Sequence, residues 1–499
     1  MKYRNPIIPG FFPDPSICTD GNKFYLVTST FHYFPGVALF ESENLIEWKQ
    51  IGNVLTRKSQ LPLEHAIHSA GIFAPVIRYN EGRFYMITTN VSDGGNFLVY
   101  TDDIYGEWSD PVWLDVGGID PSLCFADGKC YFTGNGHDEE GFQSVLQCEI
   151  VPETGEMLTP LRGIWRGNSG RYLEGPHLYK INGEYYLMAA EGGTEYGHMT
   201  IYAKSKNPYG PFVGYEKNPV LTNRNLGGYL VQGCGHADLI QDRSGNWWMV
   251  HLAFRQTDQW MMHHITGRET YLMPVTFDEN GWFTVGENGT TTLEVETDRL
   301  PEIKQPDEVI RTFSNTKPGV EWVYQRNPRP ECYEWQETCV IIRGNGTSIN
   351  DRLGSSSFTA IRQEQMHEDV ECKIAVENGE AGITLYMDEE HHYDLAVWKS
   401  GNETQGILRL CIGDIKHIQK SIVLAGNAEE ITLRIHMEPM QYSFAMAVDG
   451  KTVDLGSAQT RYLSTEVASG FTGVMIGLYA EGDGTAKFYD FKAVRKENL

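Results

Sequence analysis

Short apolar runs rich in β-branched and aromatic residues alternate with glycine and polar breaks along this chain. No segment sustains a 3.6-residue period over 12 residues, so strands rather than helices are expected. One phrase recurs through the first half: a glycine, one or two residues, an aromatic or Cys-aromatic pair, then an apolar run. It begins at Gly21 (GNKFYLVTS), Gly82 (GRFYMITT), Gly128 (GKCYFTG), Gly183 (GEYYLMAA) and Gly245 (GNWWMVHLA), at intervals of 46 to 62 residues. A second phrase precedes each of these: DPSI at Asp14, APVI at Ala74, DPSL at Asp120, GPHL at Gly175 and HADL at His236. Each pair of phrases reads as a hairpin. A third phrase (NLIEWKQIG, DIYGEWSDP, NPYGPFVGY) supplies an outer strand in several repeats. Five copies of one small antiparallel sheet predict a five-bladed β-propeller over residues 1–300.

From about Glu294 to Gly319 the text turns charged and proline-containing, and reads as a crossing segment. Beyond it, period-2 runs such as VECKIAVE, GITLYMDE and YDLAVWK predict an antiparallel β-sandwich over residues 315–499. The expected fold is all-β with two domains, in keeping with 499 residues.

In a propeller, equivalent positions of successive blades converge on one axis. The residues opening the inner strands therefore face one another: Asp14, Ala74, Asp120, Gly175 and His236, with Glu174 one step before its position. Three carboxylates and a histidine would share one pocket. Glycosidic cleavage needs a proton delivered to the leaving oxygen and an activated water or nucleophile, which carboxyl groups in different environments supply. Arg268, in GRET, could hold a sugar hydroxyl or tune a carboxylate, although an arginine taken alone reads as exposed. His236 could donate to a sugar hydroxyl or hold a water-rich calcium. Phe31, Phe34 and Phe73 could wall a sugar face, with core packing as the plainer role for each. His263–His264 and His391–His392 lack the spacing of a metal site and read as surface.

The net charge of -25 argues against nucleic-acid and membrane-surface partners, and suits a neutral sugar. No signal peptide and no transmembrane run are apparent, and the nine cysteines have no CxxC pairing. Reduced thiols in the cytoplasm are the expectation, with Cys18, Cys124, Cys130 and Cys234 as small core residues.

At the phrases NPIIPGFFPDPSI, YLVTSTFHYFPGVALF, GIDPSL, LEGPHLYK, EGGT, GHADLI and GRET the chain closely resembles glycoside hydrolase family 43, in its two-domain β-xylosidase and α-L-arabinofuranosidase branch. The resemblance covers nearly the whole chain. It implies a concanavalin-like sandwich and single-step inversion, with Asp14 as general base, Glu174 as general acid and Asp120 as the carboxylate that modulates and positions the acid. It also implies that Arg268 and His236 line the pocket, that some members hold calcium at His236, and that Phe31 lines the terminal-sugar subsite. A loop of the second domain closes the pocket in relatives, and SGFTG, carrying Phe471, is the candidate here. No cofactor is implied beyond that calcium. Expected substrates are xylo-oligosaccharides and arabinoxylan fragments, cleaved one pentose at a time. GIFAP, with Phe73 where xylosidases of this group often carry Trp, and GIDPS in place of a GFDAS-like string shift weight toward an arabinofuranosidase or dual-specificity pocket. Two rivals stand beside this reading: a fructan-cleaving retaining propeller enzyme and a non-catalytic sugar-binding propeller with a lectin-like sandwich. Exposed sandwich edges would suit a homo-oligomer.

Overall fold

The computed structural model describes residues 1–313, 316–424 and 430–496. The residues that close the sandwich range assigned from sequence, 315 and 499, lie outside the described residues. The fold is all-β. Five antiparallel sheets follow one another along the chain. The first holds Ser16–Thr19, Phe24–Thr28, Gly36–Ser42 and Lys49–Leu55; the second Val76–Asn80, Arg83–Asn90, Gly95–Thr101 and Val112–Trp113. The third holds Ser122–Ala126, Lys129–His137, Gln143–Val151 and Glu156–Met157, with Arg162–Trp165 also paired to Gln143–Val151. The fourth holds Glu174–Ile181, Glu184–Glu191, Met199–Ser205 and Val213–Gly214; the fifth Val231–Gln241, Trp247–Arg255, Glu269–Phe277 and Phe283–Val285. These are the blades of a five-bladed propeller. The recurrent glycines that open the second strands all turn the chain with positive φ, from 71° at Gly128 to 89° at Gly21 and Gly82. Only glycine takes that conformation without strain, which is why the phrase begins with it.

Two side chains bind the blades at their centre. The fully buried carboxylate of Asp238, on the inner strand of blade 5, accepts from Ser16 Oγ (2.7 Å) and the Ile17 amide (3.0 Å) of blade 1. It also accepts from Arg78 Nη1 (2.8 Å) of blade 2 and the Tyr179 hydroxyl (2.6 Å) of blade 4. Arg78 in turn donates from Nε to the Leu123 carbonyl of blade 3 (3.2 Å) and from Nη2 to His177 Nδ1 of blade 4 (2.8 Å). Burial alone would raise the Asp238 carboxyl, but Arg78 overcomes it and holds the group well below the usual carboxylate range.

The sandwich is organised by two long strands, Glu368–Asp388 and Met475–Lys496, paired with each other. The early part of Glu368–Asp388 pairs with Ile431–Glu438 and the late part with His391–Ser400, so one strand serves two sets of partners. Apolar residues of these strands and their neighbours, such as Val340, Leu433 and Phe488, belong to one buried core. The crossing segment is not structureless: Glu294–Glu296 pairs with Lys2–Arg4, and Glu308–Thr312 pairs with Lys492–Lys496. Among the described residues helix is confined to short turns such as Thr465–Ala468, and no helix is long and apolar enough to cross a membrane.

The two domains share a sheet. Tyr33–Phe34, between the second and third strands of blade 1, pairs with Val323–Gln325 of the sandwich sheet. Phe34 is therefore an interface residue and not a pocket wall. The fully buried Arg326 spans the same junction, donating to the carbonyls of Ala66 (2.5 Å), Gly354 (2.9 Å) and Arg352. The nine cysteines are all free and buried.

Both histidine pairs read as surface are in fact buried. His264 faces Glu466 of the sandwich at 2.7 Å, so it too is spent on the junction. His392 Nδ1 lies 2.8 Å from Asp394, and His392, Asp394 and Cys411 bring three donor atoms within 4.8 Å of one another. Arg409 sits 3.2 Å from the other oxygen of Asp394, so this set is already neutralised by protein charge.

Asp238→Asn leaves Arg78 a buried cation without its counter-charge. It is expected to lower the unfolding free energy by about 3–5 kcal/mol, read as a drop in the urea midpoint.

Candidate active site

The inner-strand openings of four blades share an unusual backbone. Asp14, Asp120, Gly175 and His236 adopt φ of 55°, 53°, 55° and 46°, all in the left-handed region. Such strain in non-glycine residues collects at functional sites, and here it turns equivalent side chains toward one cavity. That cavity measures about 80 Å³ and is lined by Asp14, Asp120 and Glu174, with the other candidates Phe31, Phe73, His236, Arg268 and Phe471 around them. Eight of the nine side chains proposed from sequence for this pocket thus meet, and Phe34 does not. Thr194 and His198 also line it and were not singled out, although Thr194 ends the EGGT phrase.

Glycines set the packing of the two imidazoles. A Cβ on Gly175 would lie 2.9 Å from the His236 ring, and one on Gly235 would lie 2.4 Å from that of His198. The blade-4 position equivalent to Asp14 is thus closed to any side chain, and the carboxylate of that blade is carried one residue earlier, by Glu174. A register shift between Glu174 and His177 accommodates the offset.

The three carboxyls sit in different surroundings. Asp14 is buried; its Oδ2 accepts from Ser29 Oγ at 2.6 Å and its Oδ1 from Arg268 Nη1 at 3.2 Å, with His236 Nδ1 at 3.8 Å. Burial works to raise its pKa, but Arg268, His236 and Ser29 outweigh it, and the carboxyl stays below its ordinary value. Glu174 has no protein hydrogen bond to its carboxyl among the described residues. Burial, with Asp14 adding to it against the pull of Arg268, pushes Glu174 up to about 7. Asp120 is also lifted to about 7, by burial first and by Glu174 and Asp14 against His236. The Gly175 amide donates to Asp120 Oδ2 at 3.1 Å, which favours the ionised form there. Glu174 has no such donor, and that is the difference between the two carboxyls.

Arg268 is buried, contrary to the reading of it as exposed. Its Nη1 donates to Thr194 Oγ1 (2.7 Å) as well as to Asp14, and its Nη2 to the Phe471 carbonyl (3.4 Å), while Nε has no partner. The sandwich loop arrives here. Phe471 is tied to the propeller through its amide to Ser69 Oγ (2.8 Å), and its ring stacks on Phe31 at 5.8 Å and meets Phe73 edge-on at 5.8 Å. His198 is kept neutral chiefly by burial, its pKa falling to about 3; Nδ1 lies 3.2 Å from the Gly233 carbonyl. Its Nε2 is left as an acceptor.

A calcium ion takes six to eight oxygen ligands. The carboxylates near His236 are Asp14, already engaged by Arg268 and Ser29, and Asp120, which accepts from the Gly175 amide. These side chains fall short of a calcium shell by themselves, so an ion beside His236 would be held largely by water.

Two buried carboxyls and a half-buried one, Asp14 lowered in pKa and Asp120 and Glu174 raised, stand at the axis of a five-bladed propeller under an aromatic side chain from a second domain, and mark the class: a glycoside hydrolase. Residues 3–283 match the Glycosyl hydrolases family 43 model, and residues 311–495 the Beta xylosidase C-terminal Concanavalin A-like domain. The chain belongs to glycosyl hydrolase family 43. It is 38% identical over 99% of its length to a non-reducing end α-L-arabinofuranosidase of Bacteroides ovatus, covering 95% of that protein. It is 38% identical to a xylosidase/arabinosidase of Butyrivibrio fibrisolvens, covering 96% of each. The crystal structure of xylan β-1,4-xylosidase from Bacillus halodurans superposes with a TM-score of 0.91 at 30% identity, over 99% of this chain and 100% of that one.

Gly183, with φ of 82° and nothing within 4 Å of where a Cβ would stand, separates backbone strain from crowding at Gly175. Gly183→Ala is expected to cost about 1–2 kcal/mol with turnover retained. Gly175→Ala should cost more and lower kcat/KM at least about 10-fold, by displacing His236. Denaturant unfolding and steady-state kinetics on the two variants check this.

Proposed function

We propose that this chain is an exo-acting, inverting pentosidase that releases terminal β-D-xylose, α-L-arabinofuranose or both from xylo-oligosaccharides and arabinoxylan fragments. The observation that carries the reading is the contrast between Asp14 and Glu174 across one small cavity, one carboxyl held ionised and the other held protonated near neutrality. Asp14 takes a proton from a water molecule as that water attacks the anomeric carbon. Glu174 gives its proton to the glycosidic oxygen as the C–O bond breaks. One proton is gained and one lost, the sugar leaves with its anomeric centre inverted, and the carboxyls exchange protonation states through solvent before the next turnover.

The remaining lining residues suit a single sugar. Arg268 Nε and His198 Nε2 offer a donor and an acceptor to hydroxyls, and Phe31 and Phe73 offer apolar faces. Asp120 acts on Glu174 as a neighbouring charge and holds the Gly175 backbone beside it. The choice between the two pentoses follows the names of the relatives, which include both activities. Phe73 in the GIFAP phrase, with less bulk than tryptophan, favours room for a furanose.

The deciding measurement is proton NMR of the sugar first released from p-nitrophenyl β-D-xylopyranoside and p-nitrophenyl α-L-arabinofuranoside. Release of the inverted anomer supports Asp14 as base. Retention would overturn that role, and no turnover of either substrate would return the sugar-binding reading.

The two carboxyl roles separate by leaving group. Glu174→Gln should lose about 10²–10⁴-fold on xylobiose and far less on an aryl pentoside, whose phenolate leaves without protonation. Asp14→Asn should lose comparably on both.

The pH profile follows from the same assignments. Glu174 works protonated, so rate falls as pH rises through about 7. Asp14 works ionised, so rate falls only as pH drops below its ordinary carboxylate range. Arg268→Met removes the cation that lowers both carboxyls, and should move both limbs of the kcat/KM profile upward by about one unit. Unmoved limbs with a merely reduced rate would show that Arg268 does not tune these groups.

A further inference from the structure

Asp14 and Asp120 are aimed by donors: Ser29 and Arg268 hold the first, the Gly175 amide the second. Glu174 has no such donor among the described residues, so the direction of its side chain comes from its backbone. That backbone is not fixed by a regular ladder either. The pairing of Glu174–Ile181 with Glu184–Glu191 is interrupted between Glu174 and His177. Glu174 therefore takes its place from the residues that lead into it, 166–173, which form neither strand nor helix. Within this loop Ser169 and Tyr172 hold φ of 70° and 56°. A left-handed backbone in residues other than glycine persists only where the surroundings enforce it.

The enforcing group is Glu191. It ends the strand Glu184–Glu191, only 1% exposed, one residue beyond Ala190, the cross-strand partner of Glu174. Its Oε1 accepts from the Asn168 amide at 2.7 Å, and the Gly170 amide is a second donor to the carboxylate. A buried carboxylate is tolerated only when hydrogen-bonded, and here the loop itself supplies the donors. The fit is close. A Cβ on Gly167 would collide with Oε1, and one on Gly170 would lie 2.5 Å from Oε2. The next residue ties the loop again: the Gly192 amide donates to the Arg171 carbonyl at 2.8 Å, and Arg171 Nε to the Gly192 carbonyl at 3.1 Å. Glu191 does not line the catalytic cavity, so it has no contact with a sugar bound there. We infer that Glu191 is the positioning residue of the general acid: its carboxylate gathers the loop 166–173 and so delivers Glu174 to the cavity in one fixed direction. The inference rests on the reading of Glu174 as the acid.

The test uses the full-length enzyme and two substrates of the pentose it releases, an oligosaccharide and the p-nitrophenyl glycoside. The oligosaccharide needs its leaving oxygen protonated and the phenolate does not. Glu191→Ala is expected to lower kcat on the oligosaccharide about 10–100-fold with KM nearly unchanged, and to lower the aryl rate no more than about 3-fold. Glu191→Gln keeps an acceptor for the Asn168 amide and should recover part of the loss. Gly170→Ala leaves the carboxylate in place but crowds it, so it should show the same pattern more weakly, and it serves if Glu191→Ala folds poorly. A merely structural role would lower both substrates by one factor, through the fraction folded. Equal losses on the two substrates, or no loss in any of the three variants, overturn the role of Glu191. Glu174→Gln is run beside them. If it shows the contrast and the Glu191 variants do not, this inference alone fails; if it shows none, the acid assignment beneath it fails as well.

Discussion

The propeller depends on one buried ion pair. No blade borrows a strand from the far end of the chain, so the ring is closed by short contacts such as the Lys2–Arg4 ladder with Glu294–Glu296 and the Ile8–Thr270 bridge. What joins all five blades is the Asp238–Arg78 pair, through Ser16 and Ile17, Leu123, and His177 and Tyr179. Taking two charges out of water is favourable only when every remaining donor and acceptor is satisfied, and these residues nearly saturate both side chains. The inner strands are thereby held in a common register at the axis. Asp14, Asp120, Gly175 and His236 lie two or three residues from these contacts, on the same strands or just before them, and inherit their placement from the hub.

That placement creates an electrostatic problem which the site turns to use. Three carboxyls share a small cavity with Arg268 as the fixed positive charge beside them, and they cannot all be ionised at low cost. Arg268 bonds to Asp14 directly, and Ser29 adds a second donor, so the negative charge settles there. Asp120 has a backbone donor and Glu174 has none. Asp14, with two side-chain donors, is the carboxyl held low, and the other two are raised; the proposed division of labour rests on that contrast.

Much of this was legible in the sequence because a repeat makes distant residues equivalent. Asp14 and Asp120 are 106 positions apart, yet the shared DPS phrase places both at one axis. The same logic located Glu174 and His236. It could not say why Glu174 stands one residue early, because the reason is the His236 ring over Gly175, a contact between two blades. Nor could it see that Arg268 is buried, since an arginine's surroundings depend on Asp14 and Thr194, far off in the chain. The histidine pairs were misread for the same reason: His264 meets Glu466 only when the domains dock. His392 was closer to legible. Asp394 follows at period two on a strand, so the two side chains share a face, and that spacing was a usable signal. Phe34 misled because an aromatic beside Phe31 looks like more of the same wall, whereas the strand alternates and carries it into the sheet of the other domain.

The Tyr33–Phe34 strand has a consequence for heredity. It lies inside blade 1 and hydrogen-bonds into the sandwich, while Phe471 of the sandwich reaches back to roof the carboxyls. Lineages often shuffle accessory domains by recombination at linkers, gaining a new ligand range while the catalytic core stays intact. Here a crossover between residues 296 and 308 would strand an unpaired ladder in one parent's propeller and unroof its cavity in the same event. A sandwich exchanged into this chain would therefore have to bring both the partner strand for Tyr33–Phe34 and an aromatic roof of its own.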